Sequence, residues 1–503
     1  PELFGGLGLI FLVLSITTLH SRLLIPFIVS YLIWALVALI EIVGAIYYIA
    51  TSDTNIDFSI MLYSVANFGE LLPVFADAHK IMKFASTFVP ILLLTIFMTS
   101  LYLKRKGRGP CPWLAKNRYV YAMLPVAAVA CLYVSTLPNK YINDRGQTQS
   151  FTYNILSSIA AAGEVSSLVE SAEVQARFPI NASLAAQEGL EQRNLVFIIL
   201  ESTGHRVTSM GNPEWDVTPY LKDLADISDM YTQAYTVVPH TSKSIQGILC
   251  GIEPSFSHWM PEAGERGIPI DCIARLLSAE GYKTVLFQTD TEKFEKRRGL
   301  VQNMGYEDFF SLESIPNPDD YQMANYFGLE DDAILPLSRD WLKNTEQPFF
   351  ATYVTLTPHH NYDAPDRYGH REYVKDELQN RYLNAVHYLD NFIRNLINQY
   401  KELGLYEDTL FVLVGDHGEA FGEHERMQHD TVIYNEGLHV PLLVHDPRRL
   451  SPRVLADAMS VLDILPTVMP RLGYDYQADE KRGLDYQERN GAPVFSHCAR
   501  VKA

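Results

Sequence analysis

The sequence is short of basic residues, and this shortage excludes one large class of partners. Lysine and arginine number 41 against 59 aspartates and glutamates, which gives a formal net charge of -18 over 503 residues. A surface of that sign repels a phosphate backbone, so nucleic acid is not an expected partner. The sequence also lacks internal repeats and low-complexity tracts, and its 12% aromatic residues and mixed charges argue against a fibrous or disordered chain. With 48% hydrophobic residues, a chain of this length can form two or three domains with buried cores.

Charged residues are scarce in the first 140 positions, where four stretches are almost free of them. A helix needs roughly 20 apolar residues to cross the hydrocarbon core of a bilayer. The sequence therefore predicts an N-terminal bundle of about four transmembrane helices within residues 1–139. The predicted spans are residues 3–19, 23–40 with an extension past Glu41 to 51, 84–103 and 119–139.

The basic residues of this region are concentrated in one loop. Between the third and fourth spans, residues 104–118 carry six lysines and arginines and no acid. The positive-inside rule places such a loop in the cytoplasm, so the chain after residue 139 is expected on the opposite, extracytoplasmic side. Cysteines are few there, and Cys250 and Cys272 could form a disulfide in an oxidising compartment or remain two separate thiols.

The chain after the last span divides into a linker and an α/β domain. Residues 140–193 are polar and rich in alanine and serine, and their middle has helix-like spacing, which predicts a helical linker near the membrane. From residue 194 onward, short apolar runs alternate with helical segments, which predicts an α/β domain over 194–503 with a largely parallel central sheet. The predicted strands are 195–200, 284–288, 349–355, 409–414 and 440–444, and the predicted helices are 219–227, 272–280, 377–400 and 460–472.

Polar side chains follow three of these strands at the point where each strand ends. Glu201 follows the first, His359 the third, and Asp416 and His417 the fourth. Sites in open α/β sheets lie beyond the carboxyl ends of the strands, so these side chains are expected to meet. Two carboxylates and an imidazole suit one divalent ion such as Zn or Mn. Each residue alone could be a helix cap or a solvated loop residue, but their combination favours a metal site.

Residues 240–251 have the pattern of a turn followed by a short helix. A hydroxyl at a helix start lies near backbone N–H groups that favour an anion, and a metal ion can make such a hydroxyl nucleophilic. Thr241 or Ser242 could then attack phosphorus. The alternative that Thr241 only caps the helix stays open at this point.

The runs TSKS at 241–244 and LCG at 249–251 resemble the signature of the alkaline phosphatase and sulfatase superfamily. Residues 415–419, 439–444 and 463–467 resemble further motifs of that superfamily, in the expected order. Sulfatases modify a cysteine or serine at the position of Thr241, so this departure argues against sulfate ester hydrolysis. A threonine there is similar to membrane-bound transferases of lipid head groups, in particular the phosphoglycerol transferase and lipoteichoic acid synthase-like family.

The resemblance implies a role for each site residue. Thr241 would be the nucleophile, His359 would contact the phosphoryl group, and His429 would assist the leaving or accepting oxygen. One Mn or Zn ion would be bound by Glu201, Thr241, Asp416 and His417.

The resemblance also implies a reaction and a location. A glycerophosphoryl group would pass from phosphatidylglycerol, an anionic membrane phospholipid, to Thr241 with release of diacylglycerol, and then to a hydroxyl of a periplasmic glucan or a polyglycerophosphate. The chain would lie in the bacterial inner (cytoplasmic) membrane with its catalytic domain on the periplasmic or extracytoplasmic side. A phosphoethanolamine transferase, a sulfatase-like phosphodiesterase or hydrolase, and an inactive lipid-binding domain are the alternatives. The acceptor, the donor head group, the choice between Mn and Zn, the oligomeric state and the completeness of either end stay open.

Overall fold

The computed structural model of the protein describes residues 180–255, 260–265, 267–346, 348–430, 432–449, 451–479 and 483–489, together with 494 and 496. The predicted transmembrane spans, within residues 1–139, lie outside the described residues, as do positions 140–179 of the predicted linker. In the part of the chain that is described, no helix has both the length and the apolar character needed to cross a membrane.

The described residues form strands and helices in alternation, as the sequence predicts for an α/β domain. The strands are β1 (Ala182–Ala186), β2 (Asn194–Leu200), β3 (Asp229–Tyr235), β4 (Lys283–Gln288), β5 (Asp308–Phe310), β6 (Met323–Asn325), β7 (Gly328–Leu329), β8 (Phe349–Val354), β9 (Thr409–Gly415), β10 (Ala420–Phe421), β11 (Met427–Gln428), β12 (His439–His445), β13 (Val454–Leu455), β14 (Met459–Ser460) and β15 (Tyr474–Ala478). The helices are α1 (Pro219–Ala225), α2 (Thr241–Cys250), α3 (Ile273–Ala279), α4 (Arg297–Met304), α5 (Leu335–Asn344), α6 (Glu377–Glu402), α7 (Asn435–Leu438), α8 (Ile464–Leu472) and α9 (Tyr486–Arg489).

The central sheet has the strand order β13-β3-β12-β9-β2-β8-β4-β5, with β14 also paired to β3. Every pairing is parallel except those of β12, which runs antiparallel to both β3 and β9. The prediction of a largely parallel sheet is therefore confirmed, with the refinement that the sheet is mixed. All five predicted strands and all four predicted helices are present within a few residues, and the last helix begins at Ile464 after a short 3-10 turn.

Alternate residues of β2 show how the sheet is covered on both faces. Leu195, Phe197 and Ile199 pack into one apolar cluster with side chains of α2, α3, α4 and α8. Val196 and Ile198 pack into a second cluster with side chains of α1, α5 and α6. Because successive residues of a strand point to opposite faces, a continuous apolar run is required where both faces are buried.

The helix α1 is fixed by a carboxylate from its neighbour α6. Asp390 accepts hydrogen bonds from the backbone N–H groups of Tyr220 at 2.9 Å and Leu221 at 2.8 Å, at the start of α1. These amides have no partner within their own helix, so the buried Asp390 side chain satisfies them and complements the positive end of the helix dipole.

The end of the predicted linker is part of the folded domain. Strand β1 pairs antiparallel with β15 near the C-terminal end of the described chain, with Ala182 opposite Ala478. The segment 180–193 thus contains a strand rather than a continuation of the predicted helix, because its backbone hydrogen bonds are completed by β15.

A disulfide joins Cys250, the last residue of α2, to Cys272, the residue that precedes α3. Of the two possibilities left by the sequence, the disulfide is the one present. It ties the end of the helix that begins with Thr241 to the next helix of the same layer.

Candidate metal centre and nucleophile

The candidate metal ligands meet because their strands are neighbours in the sheet. Strands β2 and β9 are parallel and in direct register, with Leu200 opposite Gly415. Glu201 therefore follows β2 and Asp416 follows β9 at the same edge of the sheet. Thus the prediction that strand ends bring these residues together agrees with the structure.

Glu201, Asp416 and His417 form a cluster whose ligand atoms all lie within 4.8 Å of one another. His417 Nε2 is 3.4 Å from Asp416 Oδ2 and 3.8 Å from Glu201 Oε1. All three residues are buried, with exposed fractions of 2% or less. Two carboxylate oxygens and one imidazole nitrogen converge in a space suited to a single ion.

The local backbone leaves one atom of Asp416 and one of His417 available to a metal. Asp416 Oδ1 accepts hydrogen bonds from the backbone N–H groups of His417 at 2.7 Å and Ser202 at 2.9 Å, whereas the buried Asp416 Oδ2 has no hydrogen-bond partner among the described residues. His417 Nδ1 lies 3.0 Å from the carbonyl oxygen of Gly418. If Nδ1 carries the proton and donates it to that carbonyl, the lone pair of Nε2 faces the cluster.

The buried carboxylates of the cluster favour binding of a cation. Burial raises the pKa of Asp416 to about 7. Burial also raises the pKa of Glu201, to which the charge of Asp416 contributes further. Burial lowers the pKa of His417 to about 3, which keeps its imidazole neutral. Among the described residues, no lysine or arginine is paired with either carboxylate, so a divalent cation of the Zn or Mn type fits this donor set.

Thr241 faces the cluster from the first residue of α2. Its Oγ1 donates a hydrogen bond to Glu201 Oε2 at 3.0 Å and lies 3.4 Å from His417 Nε2. The residue at the N-cap position of α2 is His240, and no side chain caps this helix. The alternative that Thr241 only caps the helix is therefore wrong, because its hydroxyl is bonded to a candidate metal ligand instead of to a helix amide.

His429 reaches the cluster through a hairpin that begins at Ala420, three residues after His417. Strands β10 and β11 pair with Ala420 opposite Gln428, so the adjacent residues Glu419 and His429 face each other. Glu419 Oε2 lies 3.1 Å from His429 Nδ1, and the His429 ring stacks on the ring of His417 with centroids 4.1 Å apart.

His359 lies next to His429, with ring centroids 6.2 Å apart. It follows β8, which pairs with β2 in the sheet. His359 Nδ1 is 2.8 Å from the carbonyl oxygen of His360. The structure thus places Thr241, His359 and His429, the three predicted catalytic residues, around the three buried metal-ligand candidates.

Three further residues lie at this site but were not among the site residues predicted from the sequence: Glu419, Arg297 and Asp290. Arg297 is only 4% exposed, and its Nε and Nη1 have no hydrogen-bond partner among the described residues. Its Nη2 lies 3.9 Å from Asp290 Oδ2, beyond hydrogen-bond distance. Burial raises the pKa of Asp290 to about 6, with Arg297 opposing the shift and Glu201 adding to it.

The segment that carries Arg297 has a strained backbone. Glu295 and Lys296, the two residues before it, have φ values of 50° and 54°, which non-glycine residues rarely adopt. Glu295 Oε1 lies 3.2 Å from His240 Nε2, next to Thr241. In the sequence, residues 293–298 have the composition of a solvated charged loop, so no signal there could have revealed a buried arginine.

The fold and this cluster define an α/β domain with a candidate metal and nucleophile site at the carboxyl ends of its parallel strands. A family model described as Sulfatase matches residues 193–474, more than half of the chain. The chain belongs to the sulfatase family, within the alkaline phosphatase superfamily.

Curated relatives include two proteins of Bacillus subtilis (strain 168). The chain is 26% identical over 324 residues to the lipoteichoic acid synthase-like protein YvgJ, covering 60% of this chain and 51% of that one. It is 27% identical over 215 residues to lipoteichoic acid synthase 1, covering 41% of this chain and 33% of that one. The chain therefore spans about half the length, or less, of these two relatives.

Two solved structures have a similar fold. The lipoteichoic acid synthase LtaP from Listeria monocytogenes matches with a TM-score of 0.50 and 22% identity, over 59% of this chain and 79% of that one. An alkaline phosphatase superfamily protein from Vibrio parahaemolyticus matches with a TM-score of 0.52 and 22% identity, over 62% of this chain and 73% of that one.

Proposed function

We propose that this protein is a membrane-anchored, metal-dependent phosphotransferase that moves a glycerophosphoryl group from phosphatidylglycerol to an acceptor hydroxyl. The acceptor is a periplasmic glucan or a polyglycerophosphate. The observation that carries the proposal is the hydrogen bond of 3.0 Å from Thr241 Oγ1 to Glu201 Oε2, inside a buried cluster that fits a divalent ion. The names of the lipoteichoic acid synthases among its relatives support the choice of substrate.

Thr241 is the nucleophile of the first step. Its Oγ1 forms a bond to phosphorus, the bond between phosphorus and the diacylglycerol oxygen breaks, and a glycerophosphoryl-threonine remains. When bound to Glu201, Thr241, Asp416 and His417, a Mn or Zn ion supplies positive charge that favours the ionised hydroxyl and the charged phosphoryl oxygens. The place of Thr241 at the first residue of α2 puts the amides of that helix start next to the same negative charge.

The buried side chains around Thr241 hold the phosphoryl group and handle the protons. Arg297, with two unpartnered donors, and His359 bind phosphoryl oxygens. His429 gives its Nε2 proton to the leaving diacylglycerol oxygen. In the second step the acceptor hydroxyl returns a proton to His429 as its oxygen attacks phosphorus, and the bond to Thr241 Oγ1 breaks.

Glu419 supports His429 in this scheme. By accepting the Nδ1 hydrogen at 3.1 Å, it directs Nε2 away from itself and favours the imidazolium form, against the burial that lowers the pKa of His429 to about 4. We expect the catalytic domain, residues 194–503, to lie outside the cytoplasm, anchored by transmembrane helices within residues 1–139. A membrane anchor suits a lipid donor, because removing each methylene of diacylglycerol from an apolar phase costs about 0.8 kcal/mol.

Release of diacylglycerol tests the proposal. The full chain in lipid nanodiscs is incubated with Mn and labelled phosphatidylglycerol, beside Thr241→Ala and a control variant, Thr345→Ala, at the end of α5. We expect diacylglycerol from the wild type and from the control, and none from Thr241→Ala. Release from phosphatidylethanolamine alone would make the protein a phosphoethanolamine transferase, and free glycerophosphate as the main product would make it a hydrolase. No release from either lipid would contradict the proposal.

A further inference from the structure

A second charged cluster lies at the start of β3, apart from the metal centre. Strand β3 is parallel to β2 and β9, and the register through β12 puts its first residue, Asp229, level with Val412, four residues before Asp416 at the carboxyl end of β9. Four residues of strand span about 13 Å, and β3 is two strands away from β9 in the sheet, so the two sites are separate. Asp229 is buried, with 3% of its surface exposed.

Three arginines converge on one oxygen of Asp229. Arg449 Nη1 and Arg453 Nη2 each lie 2.8 Å from Asp229 Oδ2, and Arg471 Nη1 lies 2.9 Å from it. Arg471 also donates to the hydroxyl of Tyr231 at 2.7 Å. We call Arg449, Arg453 and Arg471 the arginine cluster.

The arginine cluster carries more positive charge than its single carboxylate offsets. Three guanidinium groups face one carboxylate, and the ion pairs of the described residues give these arginines no other acidic partner. Nearby arginines have acidic partners of their own: Arg193 pairs with Asp446 at 2.7 Å, and Arg448 pairs with two acids. A local excess of two positive charges in a chain of net charge -18 is a specific feature of this position.

The arginine cluster also keeps donors for a ligand. The side chains of Arg449 and Arg453 are 36% and 39% exposed. Arg449 uses Nη1 for Asp229, and Arg453 uses Nε and Nη2. The remaining N–H groups of both residues have no acceptor among the described residues. Two planar guanidinium groups held by a shared anchor match the oxygens of a phosphate, which arginine binds in bidentate fashion.

We propose that the arginine cluster is a second anion site, which binds a phosphodiester group away from the metal centre. The ligand is a phosphodiester of a glycerophosphate chain or of a lipid head group, since both present the same charged oxygens. The site takes no part in bond making. It allows the domain to bind an anionic molecule independently of the metal centre.

Binding of a soluble glycerophosphate oligomer tests the inference. The full chain carrying Thr241→Ala, in phosphatidylcholine nanodiscs with a chelator present, is titrated into a fluorescent oligomer, and anisotropy gives the Kd. The test variant is Arg449→Gln with Arg453→Gln. The matched control is Arg448→Gln, a nearby arginine whose charge is already offset. A parallel titration replaces the oligomer with vesicles that contain phosphatidylglycerol.

We expect the double glutamine variant to bind at least 10-fold more weakly and with a flatter dependence on salt, because fewer counterions are exchanged. The Arg448→Gln control should stay within twofold of the parent. Binding of the oligomer alone identifies a polymer ligand, and binding of vesicles alone identifies a lipid head group. Equal binding by the double variant and the parent, equal losses in test and control, or no binding of either probe would overturn the inference.

Two further measurements separate binding from folding and from catalysis. If the double glutamine variant has a lower melting temperature, Arg449→Lys with Arg453→Lys is used instead. Lysine keeps the positive charge but lacks the planar, forked guanidinium group. That variant should still bind more weakly than the parent, and parent-like binding would overturn the inference. Diacylglycerol release is measured separately with Thr241 intact, so a failure of the proposed transferase function leaves the binding result unaffected.

Discussion

The carboxylate of Glu419 lies 3.1 Å from Nδ1 of His429, because the short hairpin β10–β11 makes the two residues cross-strand neighbours. The imidazole of His429 in turn stacks on His417, a candidate metal ligand, at 4.1 Å. One hairpin therefore connects the metal-ligand motif with the histidine that the proposed reaction needs for proton transfer.

Removing the Glu419 side chain should slow turnover without weakening donor binding. Glu419→Ala leaves His429 without its partner at Nδ1, and losses of about 10- to 100-fold are typical when such a supporting group is removed. We expect the loss in kcat, with the KM for phosphatidylglycerol little changed. Glu419→Gln keeps an acceptor oxygen for Nδ1 and should recover part of the activity.

The matched control for these variants is Glu402→Gln, at the exposed end of α6. Its ion pair with Arg339 is at the surface and contributes little to stability. A drop in activity of the same size in the control, or a change in KM alone in Glu419→Ala, would show that Glu419 does not act through His429.

Asp416→Asn should abolish metal binding. The unpartnered Oδ2 of Asp416 is the atom that a metal would use, and an amide is a weaker ligand without charge. Elemental analysis should find close to one Mn or Zn per wild-type chain and almost none in the variant. A metal at 100 times its Kd stabilises a folded protein by about 2.7 kcal/mol, so added metal should raise the melting temperature of the wild type only.

Asp390→Asn is the control that separates loss of metal binding from the loss of stability expected when any buried aspartate is replaced. Asp390 is as buried as Asp416, but its carboxylate caps α1. The control should melt at a lower temperature, by the equivalent of about 1 kcal/mol, and should keep its metal. Full metal content in Asp416→Asn would exclude this aspartate as a ligand.

Arg297→Lys should weaken donor binding strongly although it conserves the charge. The planar fork of arginine, with Nε and Nη1 unpartnered in the buried site, is what the proposed phosphoryl contact uses. Losing such a buried contact costs about 2 kcal/mol or more, or roughly 30-fold in the KM for the donor. Arg298→Lys, at the neighbouring and more exposed position, should leave KM unchanged. Similar effects of both substitutions would refute a phosphoryl contact at Arg297.

Replacing both cysteines of the disulfide should destabilise the domain and spare the chemistry. Cys250 and Cys272 are 22 positions apart, and closing a loop of this length contributes about 3 kcal/mol by restricting the unfolded chain. The double variant Cys250→Ala with Cys272→Ala should therefore need less denaturant to unfold, while its metal content stays at the wild-type value. An unchanged denaturation midpoint would show that the link has no stabilising role.

The sequence predicts the sheet best where the physical signal is strongest. Strands β2, β8 and β9 are buried on both faces and are nearly continuous apolar runs in the sequence. Strand β3 was absent from the predicted set, because its burial alternates and the polar residues Thr232 and Gln233 interrupt the run. Its place in the sheet depends on pairing with β12, a contact between distant parts of the chain.

The site residues also divide into those with a clear local signal in the sequence and those that depend on contacts between distant parts of the chain. Glu201, Asp416 and His417 were predictable because each follows an apolar strand directly, and parallel strands end at one edge. Glu419 becomes meaningful only when the hairpin places it against His429, and Arg297 only when a strained segment turns its side chain inward. Neither relationship has a counterpart in local composition or spacing.

The mass of the tryptic peptide that contains Thr241 tests the central claim most directly. The purified full chain is incubated with Mn and phosphatidylglycerol vesicles, quenched and digested. The proposed mechanism predicts a glycerophosphoryl adduct on Thr241, which is absent in Thr241→Ala and appears together with diacylglycerol. Diacylglycerol release with an unmodified Thr241 at every time point, or an adduct on another residue, would contradict Thr241 as the nucleophile.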